Sequence, residues 1–335
     1  MLEEEEEREE GEEVKKLPEM GFSKGVTTSW ILASLLAALL YLSPTVGNEE
    51  KPLQKVTVIQ MNRIINTLKH ISSSISANLM AASTPLWACC EHSITMAALR
   101  SYLAEFISSF LFVFASVGST MSALRLTPDA TSNPSSLVAI ALANAFALLS
   151  AVYISVNISG GHVNPAVTFG MAVGGHISIP TAMFYWVAQI LGSVMACLLL
   201  RVVTVTQGVH AHEIAVEMTG FGAAVLECVM TFTLVYTVYA AGDQRRGSFA
   251  VIGPVMIGLI VGANILAAGP FTGGSMNPAL SLGTALISGN FKNQAVYWVG
   301  PLIGAAAAAL LYENVIFPPQ PTDSSRGLGL EGVGV

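Results

Sequence analysis

Two stretches of this chain are near copies of each other, and together they limit what it can fold into. The first is Ser159-Gly160-Gly161-His162-Val163-Asn164-Pro165-Ala166-Val167-Thr168-Phe169-Gly170. The second is Thr272-Gly273-Gly274-Ser275-Met276-Asn277-Pro278-Ala279-Leu280-Ser281-Leu282-Gly283. Each is a Gly-Gly turn, then Asn-Pro-Ala, then an apolar run too short to cross a membrane. Asn before Pro at the head of such a run marks a helix start. Asn is a favoured N-cap, and Pro suits the first helical position because its missing N–H would have had no intrahelical partner. Half-helices are therefore expected at Pro165–Val173 and Pro278–Ile287.

Composition says where these half-helices sit. Of 335 residues, 53% are hydrophobic and 11% charged, against about a quarter charged in a typical soluble domain. The chain is a polytopic membrane protein. Its formal charge of −7 is unevenly spread: 13 of the 22 acidic and 8 of the 15 basic residues precede Met96. Nothing points to nucleic-acid binding. Cys89, Cys90, Cys197 and Cys228 show no metal-ligand or redox spacing, and no cofactor is expected.

Residues 1–95 read as an N-terminal extension. It opens on an acidic block, Glu3 to Glu13, too charged to bury anything and expected to be disordered. An apolar run at 26–42 sits at the short limit for a spanning helix, and its acidic leader argues against a secretory signal. A Ser-rich linker follows. The alternative is that Met96 is the natural start. The tail 319–335 is expected to be flexible.

After Met96 come six long apolar segments, near 99–123, 136–156, 180–203, 219–241, 250–268 and 294–316, each long enough to span. The Asn-Pro-Ala stretches fall after the second and the fifth. Glu105 in the first segment parallels Glu227 in the fourth, and Tyr185-Trp186 in the third parallels Tyr297-Trp298 in the sixth. The chain is therefore a tandem repeat of three spans. Three is odd, so the second copy inserts upside down, giving an inverted repeat about an axis in the membrane plane. One Asn-Pro-Ala stretch then enters from each face. The fold class expected is an all-α membrane protein with six transmembrane helices and two re-entrant half-helices, occupying 96–318. Arg245 and Arg246 favour a cytoplasmic connection after the fourth span, with Arg125 in an opposite connection. Gly258-x-x-x-Gly262 and Gly300-x-x-x-Gly304 supply the small residues that close helix packing needs.

Two half-helices meeting by their N-termini aim two positive dipole ends at one point. That repels cations and protons and suits the oxygen of a neutral dipolar molecule. If the oxygens of Asn164 and Asn277 cap their own helices, their NH₂ groups face outward as donors to passing water. Pro165, Ala166, Pro278 and Ala279 complete the expected constriction. Glu105 and Glu227 are the acidic residues deep in the spans. An intramembrane carboxylate is a functional-site hypothesis by default. Their symmetric placement favours a structural role, accepting N–H groups of the re-entrant loops, over proton coupling.

The paired Ser/Thr-Gly-Gly-x-x-Asn-Pro-Ala motifs, the two Glu and the three-span inverted repeat resemble the aquaporins, or major intrinsic proteins. Ile158 to Phe169 and Gly262 to Ala267 are similar to the plant tonoplast intrinsic proteins. Met218 to Ala223 and Phe291 to Trp298 are similar to the divergent fifth group of that subfamily. The resemblance covers about Met96 to Pro318. It implies a homotetramer with one pore per subunit, set in the lipid bilayer of the vacuolar or another intracellular membrane, passing water and sometimes small neutral solutes. Cation exclusion by half-helix dipoles is an established property of such pores. Spacing from the two Asn carries the family's selectivity filter onto Asn144, Ile265, Gly274 and Leu280. Strict water channels place Arg at the position of Leu280 and aromatic or His residues at those of Asn144 and Ile265. Asn, Ile, Gly and Leu imply a wider, mostly apolar ring, so urea, glycerol, hydrogen peroxide or ammonia are expected to pass.

His212 falls where some relatives place a fifth filter residue, and in that position its charge is expected to change between roughly pH 5 and 8. The alternative is that His210 and His212 are ordinary solvated loop residues. His162, beside the first Asn, is a second candidate for the pore lining. Rival readings are a secondary transporter, since inverted repeats with broken helices also build those, and a closed-pore structural protein. No nucleophile–base pair, phosphate loop or metal cluster suggests an enzyme.

Overall fold

The computed structural model describes residues 94–127, 133–204, 207–243 and 252–317. The acidic block, the run 26–42, Cys89, Cys90, Arg245, Arg246 and the tail 319–335 lie outside the described residues, and so do the expectations placed on them.

Eight helices follow in order: α1 Met96–Leu126, α2 Pro134–Ser159, α3 Pro165–Val173, α4 Ile179–Val203, α5 Gly220–Gly242, α6 Gly253–Thr272, α7 Pro278–Ser288 and α8 Val296–Leu311. A π-helical turn, Tyr312–Ile316, extends α8. Six of these are long and apolar enough to cross a membrane, and α3 and α7 are the two short ones. Local chemistry sets the starts. Thr95, Asn133, Ser178 and Thr219 each cap a helix by accepting from a backbone N–H, and Pro follows directly or one residue later in α2 and α4. Two boundaries differ from expectation. Arg125 lies in the last turn of α1 rather than in the connection after it. The fifth span runs past 268 to Thr272, through Pro270, which a membrane helix tolerates when neighbours satisfy the freed backbone groups.

The halves pack alike. α1 lies against α2 and α4, α5 lies against α6 and α8, and α2 meets α6 across the halves. These contacts are close because glycine removes the side chain where backbones cross. A Cβ on Gly258 would strike the Ala145 carbonyl of α2, and one on Gly304 the Cys228 carbonyl of α5. Gly192 plays the same part for α4 on the Phe106 carbonyl of α1. Between helices in lipid there is no hydrophobic drive, so this fit of small residues carries the association. Outside, the spans are apolar: only 33–39% of their most apolar stretches are buried, and Leu103, Phe146 and Leu191 are more than half exposed. That is the surface of a protein solvated by lipid.

Half-helix α3 packs on α4, α5 and α8, and α7 packs on α4 and α8. Behind them Trp186 and Trp298, equivalent across the repeat, meet edge to face at 5.9 Å. The two half-helices touch each other, so both Asn-Pro-Ala starts reach one place.

Candidate functional site

The Gly-Gly turns bring the chain into each half-helix by the same path. Gly160 and Gly161 have φ of 90° and 66°, and Gly273 and Gly274 of 79° and 64°, a left-handed region that favours glycine. The next strain falls on residues that are not glycine: Val163 at φ 57° and Met276 at 53°. A β-branched residue rarely adopts such a backbone, so the surroundings must hold it there. The two glutamates do so. Glu105 accepts from the backbone N–H of His162 (2.9 Å) and Val163 (2.8 Å) and from the Ser159 hydroxyl (2.5 Å). Glu227 accepts from the N–H of Ser275 (3.1 Å) and Met276 (2.7 Å) and from the Thr272 hydroxyl (2.7 Å). Both are fully buried. Each carboxylate thus accepts three hydrogen bonds from one re-entrant loop.

The left-handed turn aims one carbonyl from each half at the other. Asn164 Nδ2 donates to the Met276 carbonyl (2.8 Å), and Asn277 Nδ2 donates to the Val163 carbonyl (3.0 Å). Asn164 Oδ1 accepts from Ala166 N–H, and Asn277 Oδ1 from Ala279 and Leu280 N–H. The oxygens therefore cap their helices as expected. The NH₂ groups are only half available, because one N–H of each is spent across the halves. Both Asn line a cavity. Pro165, Ala166, Pro278 and Ala279 are buried behind them.

Two cavities flank this meeting point. The outer one, on the side of the loop 207–219, is about 580 Å³. Asn144, Ile265, Gly274 and Leu280 come together in its wall, as do Ser116 and Thr284. Among the described residues, no Arg or Lys lines it. Asn144 is held rigidly: its Oδ1 accepts from the Ser116 hydroxyl (2.6 Å), and its Nδ2 donates to the Ile140 carbonyl (2.9 Å). The inner cavity, on the other side of the Asn pair, is about 20 Å³, with Phe112, Leu148, Leu234 and Val261 among its mostly apolar walls.

The histidines separate. His162 lines the inner cavity; its Nδ1 pairs with the Thr168 hydroxyl (3.0 Å) and its ring meets Tyr185 edge on at 5.2 Å. His210 is exposed. His212 is not an ordinary solvated residue, because the loop folds back over the mouth, tied by Ala215 N–H to the Phe271 carbonyl (2.8 Å). Its ring lies 5.6 Å from that of Tyr297, and it lines the outer cavity. Burial pushes its pKa down to about 4. That direction places its titration below the pH 5 to 8 range expected at this position.

Three residues of the site carry no motif. Gln189 donates through Nε2 to Glu105 (2.8 Å) and to Thr168 (2.9 Å). Its counterpart in the second half is Pro301, so the repeat departs from symmetry here. Asn264 donates to the Met230 carbonyl (3.0 Å) and lies 3.1 Å from the Met276 sulfur, beside the second loop. Ser116 fixes Asn144. A polar residue in an otherwise apolar span was the available signal for all three.

The family model described as Major intrinsic protein matches residues 92–312. The chain is 60% identical over 225 residues to Probable aquaporin TIP5-1 of Arabidopsis thaliana, covering 67% of this chain and 88% of that one. It is 57% identical over 226 residues to Aquaporin TIP2-1 of the same plant, covering 67% and 90%. The X-ray structure of the aquaglyceroporin from Plasmodium falciparum shares the fold, with a TM-score of 0.57 at 21% identity over 66% of this chain and 97% of that one. A duplicated three-span unit, two carboxylate-held loops and two Asn exchanging bonds at their meeting point agree with that match: the chain belongs to the major intrinsic protein family.

Proposed function

We propose that this chain is a passive membrane channel for water and for neutral solutes larger than water, of the size of urea or glycerol. The observation that carries the reading is the outer mouth, where Asn144, Ile265, Gly274 and Leu280 converge and no Arg or Lys among the described residues lines the wall. An Arg at Leu280 would supply fixed donors, narrow the mouth and raise a positive barrier; Leu supplies none of these. Exclusion of cations then falls to the N-termini of α3 and α7 at Asn164 and Asn277. His212 adds a neutral polar group at the mouth. Glu105 and Glu227 accept the loop N–H groups, and this engagement disfavours ion coupling by them and so a secondary transporter. The similarity to tonoplast intrinsic proteins supports placement in the vacuolar membrane, and family membership supports a homotetramer with one pore in each subunit.

The test is stopped-flow light scattering on proteoliposomes of the full chain, in osmotic gradients and in urea or glycerol gradients. Water, urea and glycerol flux above that of empty vesicles is expected, and Leu280→Arg should lower the solute fluxes while water flux persists. Urea and glycerol flux equal to that of empty vesicles would remove the wide-solute reading.

A further inference from the structure

The inverted repeat that builds the outer mouth also builds its mirror. Aligning Asn164 with Asn277 pairs Asn144 with Ile257, Ile265 with Val152, Gly274 with Gly161 and Leu280 with Val167. All four filter residues line the outer cavity, and all four counterparts line the inner one. The geometry repeats as well. Gly161 and Gly274 share nearly the same φ, 66° and 64°. A Cβ on Gly161 would press on Val152 Cγ1 at 3.3 Å, and one on Gly274 on Ile265 Cγ1 at 3.2 Å. Two equivalent rings therefore lie on either side of the Asn pair.

Their chemistry differs. The outer ring has Asn144, braced by Ser116. The inner ring has Ile257 in that place, and Val238, the counterpart of Ser116 when Glu105 is set against Glu227, lines the same inner cavity. Val152, Val167 and Ile257 are buried, at 3%, 3% and 7% exposure, so they have little room to withdraw. The inner cavity of about 20 Å³ has room for about one water.

We propose that the inner ring of Val152, Gly161, Val167 and Ile257, rather than the outer filter, sets the largest solute this channel passes. The inference rests on the reading of the chain as a channel for water and small neutral solutes. In the outer mouth a solute keeps much of its water. At the inner ring it must shed that water between mostly apolar walls, with Asn164, Asn277, His162 and Ser275 as the polar side chains of the lining. Apolar constrictions of this kind gate by dewetting, and a solute wider than one water must also displace packed side chains. Leu280→Arg still lowers solute flux on this view, because it makes the outer ring the narrower of the two.

The experiment compares the rings in the full chain. Water, urea and glycerol permeabilities are measured in proteoliposomes for the wild type, Ile257→Ala, Val167→Ala and Ile265→Ala, with lipid-facing Leu259→Ala (52% exposed) as control. The inner variants should raise glycerol permeability on the order of tenfold, the scale on which a tight apolar site discriminates by a methylene or more, and should raise it more than water permeability. Ile265→Ala should give a smaller rise. Ile257→Val keeps the comparison available should the alanine variant fail to insert, which size-exclusion elution reports. A glycerol rise in Ile265→Ala as large as that in the inner variants, or none in either inner variant, overturns the proposal while leaving the channel reading intact. Wild-type water flux no greater than that of empty vesicles overturns both.

Discussion

Replacing Glu227 by Gln changes almost nothing in shape and removes one acceptor. The carboxylate takes Thr272 and Ser275 on Oε1 and Met276 on Oε2. In Glu227→Gln an amide oxygen can stand for only one of those oxygens, and the NH₂ then faces a donor. If the oxygen keeps the Thr272 and Ser275 bonds, the Met276 N–H is stranded in a buried site, at a cost of about 1–3 kcal/mol. The two surviving bonds lose their charge assistance, about 1 kcal/mol each. The sum, roughly 3–5 kcal/mol, is a large share of the 5–15 kcal/mol that typically separates folded from unfolded. It also frees Met276 to leave its left-handed backbone, and the carbonyl that holds Asn164 goes with it. Expected, in detergent, is an unfolding midpoint lower by on the order of ten degrees, and in proteoliposomes a lower water flux per inserted protein. An unchanged midpoint with unchanged water flux would refute the structural assignment of Glu227. An unchanged midpoint with flux that acquired or lost dependence on a proton gradient would point instead to coupling.

Two further outcomes follow from the same geometry. With the His212 pKa pushed down to about 4 by burial, a proton adds its charge only below that value, so water and urea permeability should be flat from pH 8 to 5 and change only towards pH 4. A midpoint near 6.5 that vanishes in His212→Gln would show the imidazole to be solvated. Asn164→Asp replaces the donor to the Met276 carbonyl with an acceptor and sets a negative charge against the two dipole ends, so proteoliposomes should begin to leak protons or monovalent cations in a pH-dye or electrical assay; no leak with retained water flux would relocate the cation barrier elsewhere.

Much of this site was legible because its determinants are local or arithmetic. Asn-Pro fixes a helix start within a few residues, so α3 ends at Val173 as expected and α7 ends at Ser288, beside the expected Ile287. Counting spans gives the inversion, and spacing from the two Asn finds four residues that share one cavity wall. What escaped was set by contacts distant in sequence. No local pattern bends 207–219 over the mouth; bonds to Phe271 and Asn290 and the packing of His212 on Tyr297 do. No propensity places Val163 in a left-handed turn; the Glu105 carboxylate does. The half-occupied NH₂ of each Asn was likewise invisible, since its partner carbonyl belongs to the other repeat.

That exchange between repeats governs when the channel comes into being. The Met276 carbonyl that anchors Asn164 lies 112 residues further along the chain. While the protein is being made, the first loop can insert and α3 can form, but the Val163 carbonyl has no Asn277 N–H to accept from until the second loop arrives. Neither repeat can complete its own constriction, and each supplies the last bond of the other. An unfinished chain thus holds helices in the bilayer without these cross-repeat bonds, and the constriction takes its shape only after the second loop is in place.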